Sequence, residues 1–285
     1  MEYVILDFEF NGVYSDKLKR YFNEIIDIGA IKVNQDMKII DEFSVLVKPV
    51  VGKNVNKYVQ NLTQLTMEEL TVNGIPFQKM VSKLKDFISD ATLITWGISD
   101  MQVLSDNYKY FFGTGNLGFI KRFLNLQSYC EEKLNLGSSQ KLGLSTALNS
   151  LNIEVDQGKV HQAIYDSFLA YECFKRLFNR ELVEKYTEDC ENSEFYDRLN
   201  FKNHIVGNLK ELNINIDDTE IFCFICKNKA ERISNWKKKN KIYRAEFKCE
   251  NCKRKFIGKL KFVRTYDGIY VHKSVNLLNE EISEG

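Results

Sequence analysis

Proline is nearly missing from this chain, with two in 285 residues, and glycine is sparse at 15. A proline-rich spacer, a collagen-like repeat and a long flexible Gly/Ser linker are therefore excluded. No apolar run approaches the about 18 residues that a bilayer requires, so no transmembrane helix is expected. The opening MEYVILDFEF lacks both a basic stretch and a small-residue cleavage site, so it does not read as a secretory signal. A cytoplasmic location is the expectation. Histidine is scarce too, with three in the chain.

What is present is enough for a packed core. The chain is 44% hydrophobic and 28% charged, which argues against global disorder. Its length fits one large domain or two ordinary ones. The net charge of +1 conceals a division. Residues 221 to 264 hold 15 Lys and Arg against 3 Asp and Glu, a local excess of +12. Residues 1 to 220 carry −8 and residues 265 to 285 carry −3. Such asymmetry points to separate modules with different partners. The seven cysteines divide likewise: four form two CxxC pairs in the basic segment, while Cys130, Cys173 and Cys190 are scattered.

Along the chain, EYVILDF, NEIIDIGAIKV and MKIIDEFSVLVKP read as an antiparallel meander, with NQD as a turn. Thr66 ahead of Glu gives a helix start. Residues 76 to 89 place Phe77, Met80, Val81, Leu84, Phe87 and Ile88 at helical spacing. ATLITW is a fourth strand, a helix covers 99 to 111, and KRFLNLQ is a fifth strand. Helices are expected over 142 to 151 and 161 to 179. This order predicts an α/β fold with a mixed five-stranded sheet. Residues 181 to 220 read as a polar, partly helical connector. The segment 221 to 264 reads as a small β-rich domain, and 265 to 285 as an acidic tail.

Asp7 and Glu9 are two apart on the first strand, so both face the same side. Phe8 then faces the other side and belongs to a core. Two carboxylates within an apolar strand repel each other unless a cation lies between them or they reach solvent. Asp100 follows ATLITWG, where a strand meets a helix; it is either a helix-start residue or a site residue. His161 and Asp166 open the helix HQAIYDSFLAYECF. A loop histidine with near-neutral pKa is a candidate general base, or a structural residue.

Taken together, Asp7-Phe8-Glu9 in VILDFEF, Asp100 in TWGISD and His161 to Asp166 in HQAIYD resemble the DEDDh family of 3′–5′ exonucleases. EIIDIGAI, LTQLT and LGLSTALNSLNI support this and look most like the branch of KapD-type bacterial proteins and eukaryotic RNA-trimming exonucleases of the enhanced-RNAi type. One departure is Gln64, where that branch often carries glycine. The resemblance covers about residues 1 to 180 and implies an RNase H-like sheet with flanking helices. It also implies two Mg²⁺ or Mn²⁺ ions held by Asp7, Glu9, Asp100 and Asp166, about 4 Å apart. His161 would be the general base, and nucleoside 5′-monophosphates the products. By the same resemblance Phe10, Leu62 and Thr63 lie where relatives hold the terminal nucleotide, although Phe10 and Trp96 also read as core aromatics.

Cys223-x-x-Cys226 and Cys249-x-x-Cys252 are separated by 22 residues. Two such knuckles fit a tetrahedral zinc site, and the segment resembles a zinc ribbon. Iron–sulfur ligation is the less favoured alternative. The runs between and after the knuckles interleave cations and aromatics, so Trp236, Lys238 and Tyr243 are candidates for contacting nucleic acid; the same aromatics would otherwise form the ribbon's own core. The expectation is a metal-dependent exonuclease acting on single-stranded nucleic acid, RNA favoured over DNA, with one Zn²⁺ in the ribbon and no membrane partner. A DNA exonuclease, a proofreading-type polymerase subunit, and a binding adaptor centred on the ribbon are the rivals.

Overall fold

The computed structural model describes residues 1–135, 141–210 and 214–277. The chain forms two compact units that divide after Asn200. No helix among the described residues is long and apolar enough to cross a membrane.

In the first unit, β1 (Tyr3–Ser15), β2 (Arg20–Val33) and β3 (Ile39–Leu46) form the expected antiparallel meander. Asn34 closes the β2–β3 turn by accepting the N–H groups of Asp36 and Lys38. Three helices follow: α1 (Lys57–Thr63), α2 (Met67–Asn73) and α3 (Phe77–Ile88). Thr66 and Glu69 cap α2 reciprocally, the physical content of the start signal in the sequence. The chain then returns to the sheet as β4 (Thr92–Thr95), parallel to β1. After α4 (Ser99–Phe112) comes β5 (Arg122–Asn125), parallel to β4. α5 (Leu126–Lys133) was not expected and begins within KRFLNLQ, which the sequence reads as strand; α6 (Leu144–Ser150) and α7 (Ala163–Leu177) follow as expected.

The segment expected to be a connector does more. Its first half forms α8 (Arg180–Tyr186), β6 (Thr187–Asp189) and α9 (Ser193–Asn200). β6 joins β5 antiparallel, so the sheet has six strands in the order β3-β2-β1-β4-β5-β6. The polar sequence TED hides this strand because an edge strand with no buried side chain carries no hydrophobic alternation. Phe195, Tyr196 and Leu199 of α9 join the core cluster that holds Leu117 and Phe123. The first unit therefore extends beyond residue 180, to Asn200.

Alternation along β1 divides the sheet into two apolar faces. Val4, Leu6 and Phe8 pack with α3, α4 and α9. Tyr3 and Ile5 pack with α5, α6 and α7 on the opposite side. Asp7 and Glu9 continue the second face, which is how they come to look toward α7.

The second unit contains β7 (His204–Ile205), β8 (Ala230–Arg232), β9 (Lys237–Lys239), β10 (Ile242–Cys249), β11 (Lys255–Thr265) and β12 (Gly268–Leu277). Its main path is β12-β11-β10-β8, with β7 on β11 and β9 on β10. Residues 268 to 277 are thus not tail but a strand paired with β11 along its whole length. The remainder of the expected acidic tail, 278 to 285, lies outside the described residues.

Candidate active site

The site forms where β1, β4 and α7 meet. Asp7 and Glu9 come from the middle of β1, and Glu9 lies directly opposite Asp27 of β2. Asp100 is the second residue of α4, five residues beyond the C-terminal end of β4, and is buried. It accepts hydrogen bonds from its own N–H and from that of Phe8, so it is tied to the strand segment between the two β1 acids. Asp166 lies in the first turn of α7, where the helix N-terminus favours negative charge. Its Oδ2 accepts the His161 N–H at 3.1 Å.

His161 sits two residues before α7 with a left-handed backbone, φ +66°. That conformation is uncommon for a residue with a side chain. The bond to Asp166 holds the loop in it. Ligand atoms of Glu9, His161 and Asp166 lie within 4.8 Å of one another. Asp7, Asp100, His161 and Asp166 line one cavity of about 610 Å³, whose wall also carries Trp96, Gln127 and Asn149.

The electrostatics match this crowding. Burial, followed by the charges of Asp100, Asp166, Glu9 and Asp27, drives the Asp7 carboxyl well above its usual range. Burial and then Asp166, Asp27 and Asp100 push Glu9 up to about 8. Burial raises Asp100 to about 7 despite its two backbone donors. Asp166 is raised by burial as well. Carboxylates brought together without a countercharge resist ionisation. An all-oxygen donor set of this kind, with an imidazole at its rim, fits hard divalent cations.

Asp27 was missed by the sequence reading, though it lies within the quoted stretch EIIDIGAI. Burial raises its pKa, and its Oδ2 accepts the Ala163 N–H at 3.3 Å. It therefore fixes the first residue of α7. The available signal was the one that exposed Asp7: a lone acid in an apolar strand.

The residues expected to contact the nucleotide lie on β1 and α1. Phe10 is half-buried and packs against the core around Phe8. Leu62 is half-buried in α1. Thr63 is buried, and its hydroxyl donates to Val59 O while accepting the Leu65 N–H. Gln64 closes α1 with φ +60°, a position that glycine fills without strain. Trp96 packs against the core and its buried indole N–H has no partner.

In the second unit Cys223, Cys226, Cys249 and Cys252 form one cluster. The Cys223–Cys252 and Cys226–Cys249 sulfurs are 3.6 and 3.4 Å apart. Four sulfurs about 2.3 Å from a tetrahedral zinc are about 3.8 Å apart, so the cluster fits that ion. The Asn228 N–H, the Asn251 side chain and Cys249 pull the Cys226 thiol down to about 6. Cys252, despite the Arg254 N–H, is pushed up to about 11 by burial and its neighbouring thiols. Tyr243 and Lys238, expected to meet nucleic acid, both donate to Gly207 O, and Lys238 is exposed. Trp236 packs edge-on against Phe247.

The exonuclease pattern of RNase T matches residues 4–174, which is more than half of the chain and contains all five site residues. The chain belongs to this exonuclease family. With Asp7, Glu9, Asp100, Asp166 and His161 all in place, this exonuclease is a 3′–5′ enzyme of the DEDDh type, on the RNase H-like fold. It is 29% identical over 177 residues to "Probable 3′-5′ exonuclease KapD" of Bacillus subtilis (strain 168), covering 60% of this chain and 82% of that one. It is 24% identical over 191 residues to DNA polymerase III PolC-type of Ureaplasma parvum, 62% of this chain but 11% of the polymerase. The nuclease domain of 3′hExo, a DEDDh family member bound to rAMP, has the same fold, with TM-score 0.54 and 21% identity over 62% of this chain and 90% of that one. Exonuclease I of E. coli in complex with a dA16 oligonucleotide superposes with TM-score 0.50 and 11% identity, over 86% of this chain and 54% of that one.

Proposed function

We propose that this exonuclease removes nucleotides from the 3′ end of single-stranded nucleic acid, RNA in preference to DNA, and releases nucleoside 5′-monophosphates. The observation that carries the reading is the convergence of Asp7, Asp100, Asp166 and His161 on one cavity, with Glu9 beside them.

Asp7, Glu9, Asp100 and Asp166 would hold two Mg²⁺ or Mn²⁺ ions. When bound, these supply an activated water nucleophile and offset charge on the leaving 3′ oxygen. His161 accepts the attacking water's proton at a ring nitrogen. Asp166 holds the His161 backbone in place through its N–H. Asp27 holds the start of α7, and so sets the height of Asp166 above β1. Cys223, Cys226, Cys249 and Cys252 would hold one Zn²⁺ that supports the second unit's fold. None of the seven cysteines is in a disulfide. That suits a reducing cytoplasm.

RNA is favoured through the likeness to KapD-type and RNA-trimming enzymes, and one structure sharing the fold is described as 3′-end specific recognition of histone mRNA stem-loop by 3′-exonuclease. The PolC-type relative favours DNA proofreading as the second reading. The test uses 5′-labelled RNA and DNA of equal sequence, with Mg²⁺, Mn²⁺ or chelator. A metal-dependent ladder that shortens from the 3′ end, and is absent in Asp7→Ala and Asp166→Ala, supports the assignment. Normal turnover in either variant sinks it, and the RNA:DNA rate ratio decides the sugar.

A further inference from the structure

The second unit's sheet has two unlike faces. Register puts Tyr243, Ala245, Phe247 and Phe256, Leu260, Phe262 on one face, where Val206, Leu209, Ile214, Ile221 and the cysteine knuckles pack against them. The opposite face carries Lys237, Arg244, Lys248, Lys255, Lys259 and Lys261, against Glu231 and Glu246. The cations are not dispersed. Lys237 lies directly across from Arg244, Arg244 directly across from Lys259, and Lys248 directly across from Lys255.

Like charges directly opposite on neighbouring strands destabilise a sheet. Glu231 lies directly across from Lys248, but no acid lies directly across from Lys237, Arg244 or Lys259. The unit's ion pairs among the described residues are Lys229–Glu220 and Arg232–Asp217, neither of which involves this row. The Arg244 Nε is buried without a hydrogen-bond partner. Beside the row, Lys261 lies across from His272 and Val263 across from Tyr270. Tyr270 is 61% exposed, with its ring 4.9 Å from that of His272.

We propose that this face of β9–β12 is a second nucleic-acid site that binds the body of a single strand. Phosphates lie along Lys237, Arg244 and Lys259, and a base stacks on Tyr270. The ligand class follows from charge and from the ring. A polyanion is the missing countercharge for the cationic row. An exposed aromatic on an open sheet suits unstacked bases, which a duplex does not offer. The residues differ from those the sequence pointed to. Tyr243 alternates onto the covered face, while Lys238, across from it on β9, stays exposed and donates to Gly207 O.

The experiment reads binding rather than turnover, so it stands apart from the exonuclease assignment. Full-length protein without added divalent ions is titrated into a 5′-labelled single strand of about 20 nucleotides, longer than typical module site sizes. Fluorescence anisotropy is followed over a range of salt. Lys259→Glu should bind at least about tenfold more weakly, with a salt slope shallower by about 0.7 for each phosphate no longer neutralised. It should also melt no lower than the parent, because Glu at 259 faces Arg244. Tyr270→Ala should lose about tenfold on the single strand, with its salt slope unchanged. Lys79→Glu, exposed on α3, makes the same net-charge change and should bind normally. Parental affinity in Lys259→Glu overturns the proposal, as does an equal loss in Lys79→Glu. Unchanged single-strand affinity in Tyr270→Ala, with duplex bound as tightly, overturns it in favour of a general polyanion surface.

Discussion

Glu9 faces Asp27 across two strands, with Asp166 close by, and neither acid has a cation to answer it. The fold favours their protonated forms, which fixes the sign of a pH effect. Glu9 rises from 4.5 to about 8 and Asp100 from 3.8 to about 7. The stability they contribute is present in acid and is lost as pH climbs through the folded-state values. The metal-free protein should therefore melt progressively lower between about pH 5 and pH 8. Mg²⁺ or Mn²⁺ should raise the melting temperature more at the upper pH than at the lower. Equal increments, read by calorimetry, would mean that the acids do not hold the ion. Asp27 separates positioning from ligation. Asp27→Asn keeps an acceptor for the Ala163 N–H and should keep most activity, whereas Asp27→Leu should not. Equal losses would make the charge itself the requirement. Asp7 and Glu9 were legible because acids inside an apolar strand are costly, and Asp100, His161 and Asp166 because their order with that pair resembles a family. Asp27 was equally costly but stood outside that order. For Tyr243 composition says only what the segment holds, and register says which way it points, toward the covered face.

At the scale of elements, the decisive contact is between α7 and β2. A side chain on Gly29 would meet Ile164 N at 2.0 Å and the Ala163 carbonyl carbon at 2.2 Å. Ser167 donates to the Gly29 carbonyl one turn further on. The helix that carries Asp166 thus rests on bare backbone. Gly29→Ala should lift its N-terminus, lower stability by about 3 kcal/mol, and reduce turnover more than single-strand binding. Parental turnover and melting temperature would mean that α7 has slack there. The meander and the helices α2, α3, α4, α6 and α7 were readable because each carries a period of 2 or 3.6 or a start signal; α1 and α5 were not, and Leu126 and Gln127, which open α5, read as the end of the fifth strand. α3 keeps its apolar face at Phe77, Met80, Val81, Leu84 and Ile88 as spaced in the sequence. β6 carried no period at all, since its reason for being a strand is the free edge of β5 rather than its own side chains.

For the whole molecule, the two units draw stability from different sources. The first has apolar cores on both faces of its sheet. The second has a smaller core around Phe247, Phe256 and Phe262, with the cysteine cluster beside it. A zinc chelator should therefore unfold the residues beyond Asn200 while the first unit stays protease-resistant. Loss of both together, in limited proteolysis, would mean that the units are not energetically separate. The position of the boundary has a consequence for anyone shortening the chain. The Phe195 ring lies 5.9 Å from that of Phe123, Tyr196 donates to Leu117 O, and β6 occupies the outer side of β5. A chain that stops at residue 180 keeps every catalytic acid but leaves that strand with unpaired N–H and C=O groups beside uncovered aromatics. Such a surface recruits a second copy of itself. The polar stretch after α7 thus acts as a guard against self-association, and a nuclease trimmed to its motifs would aggregate before its chemistry could be measured.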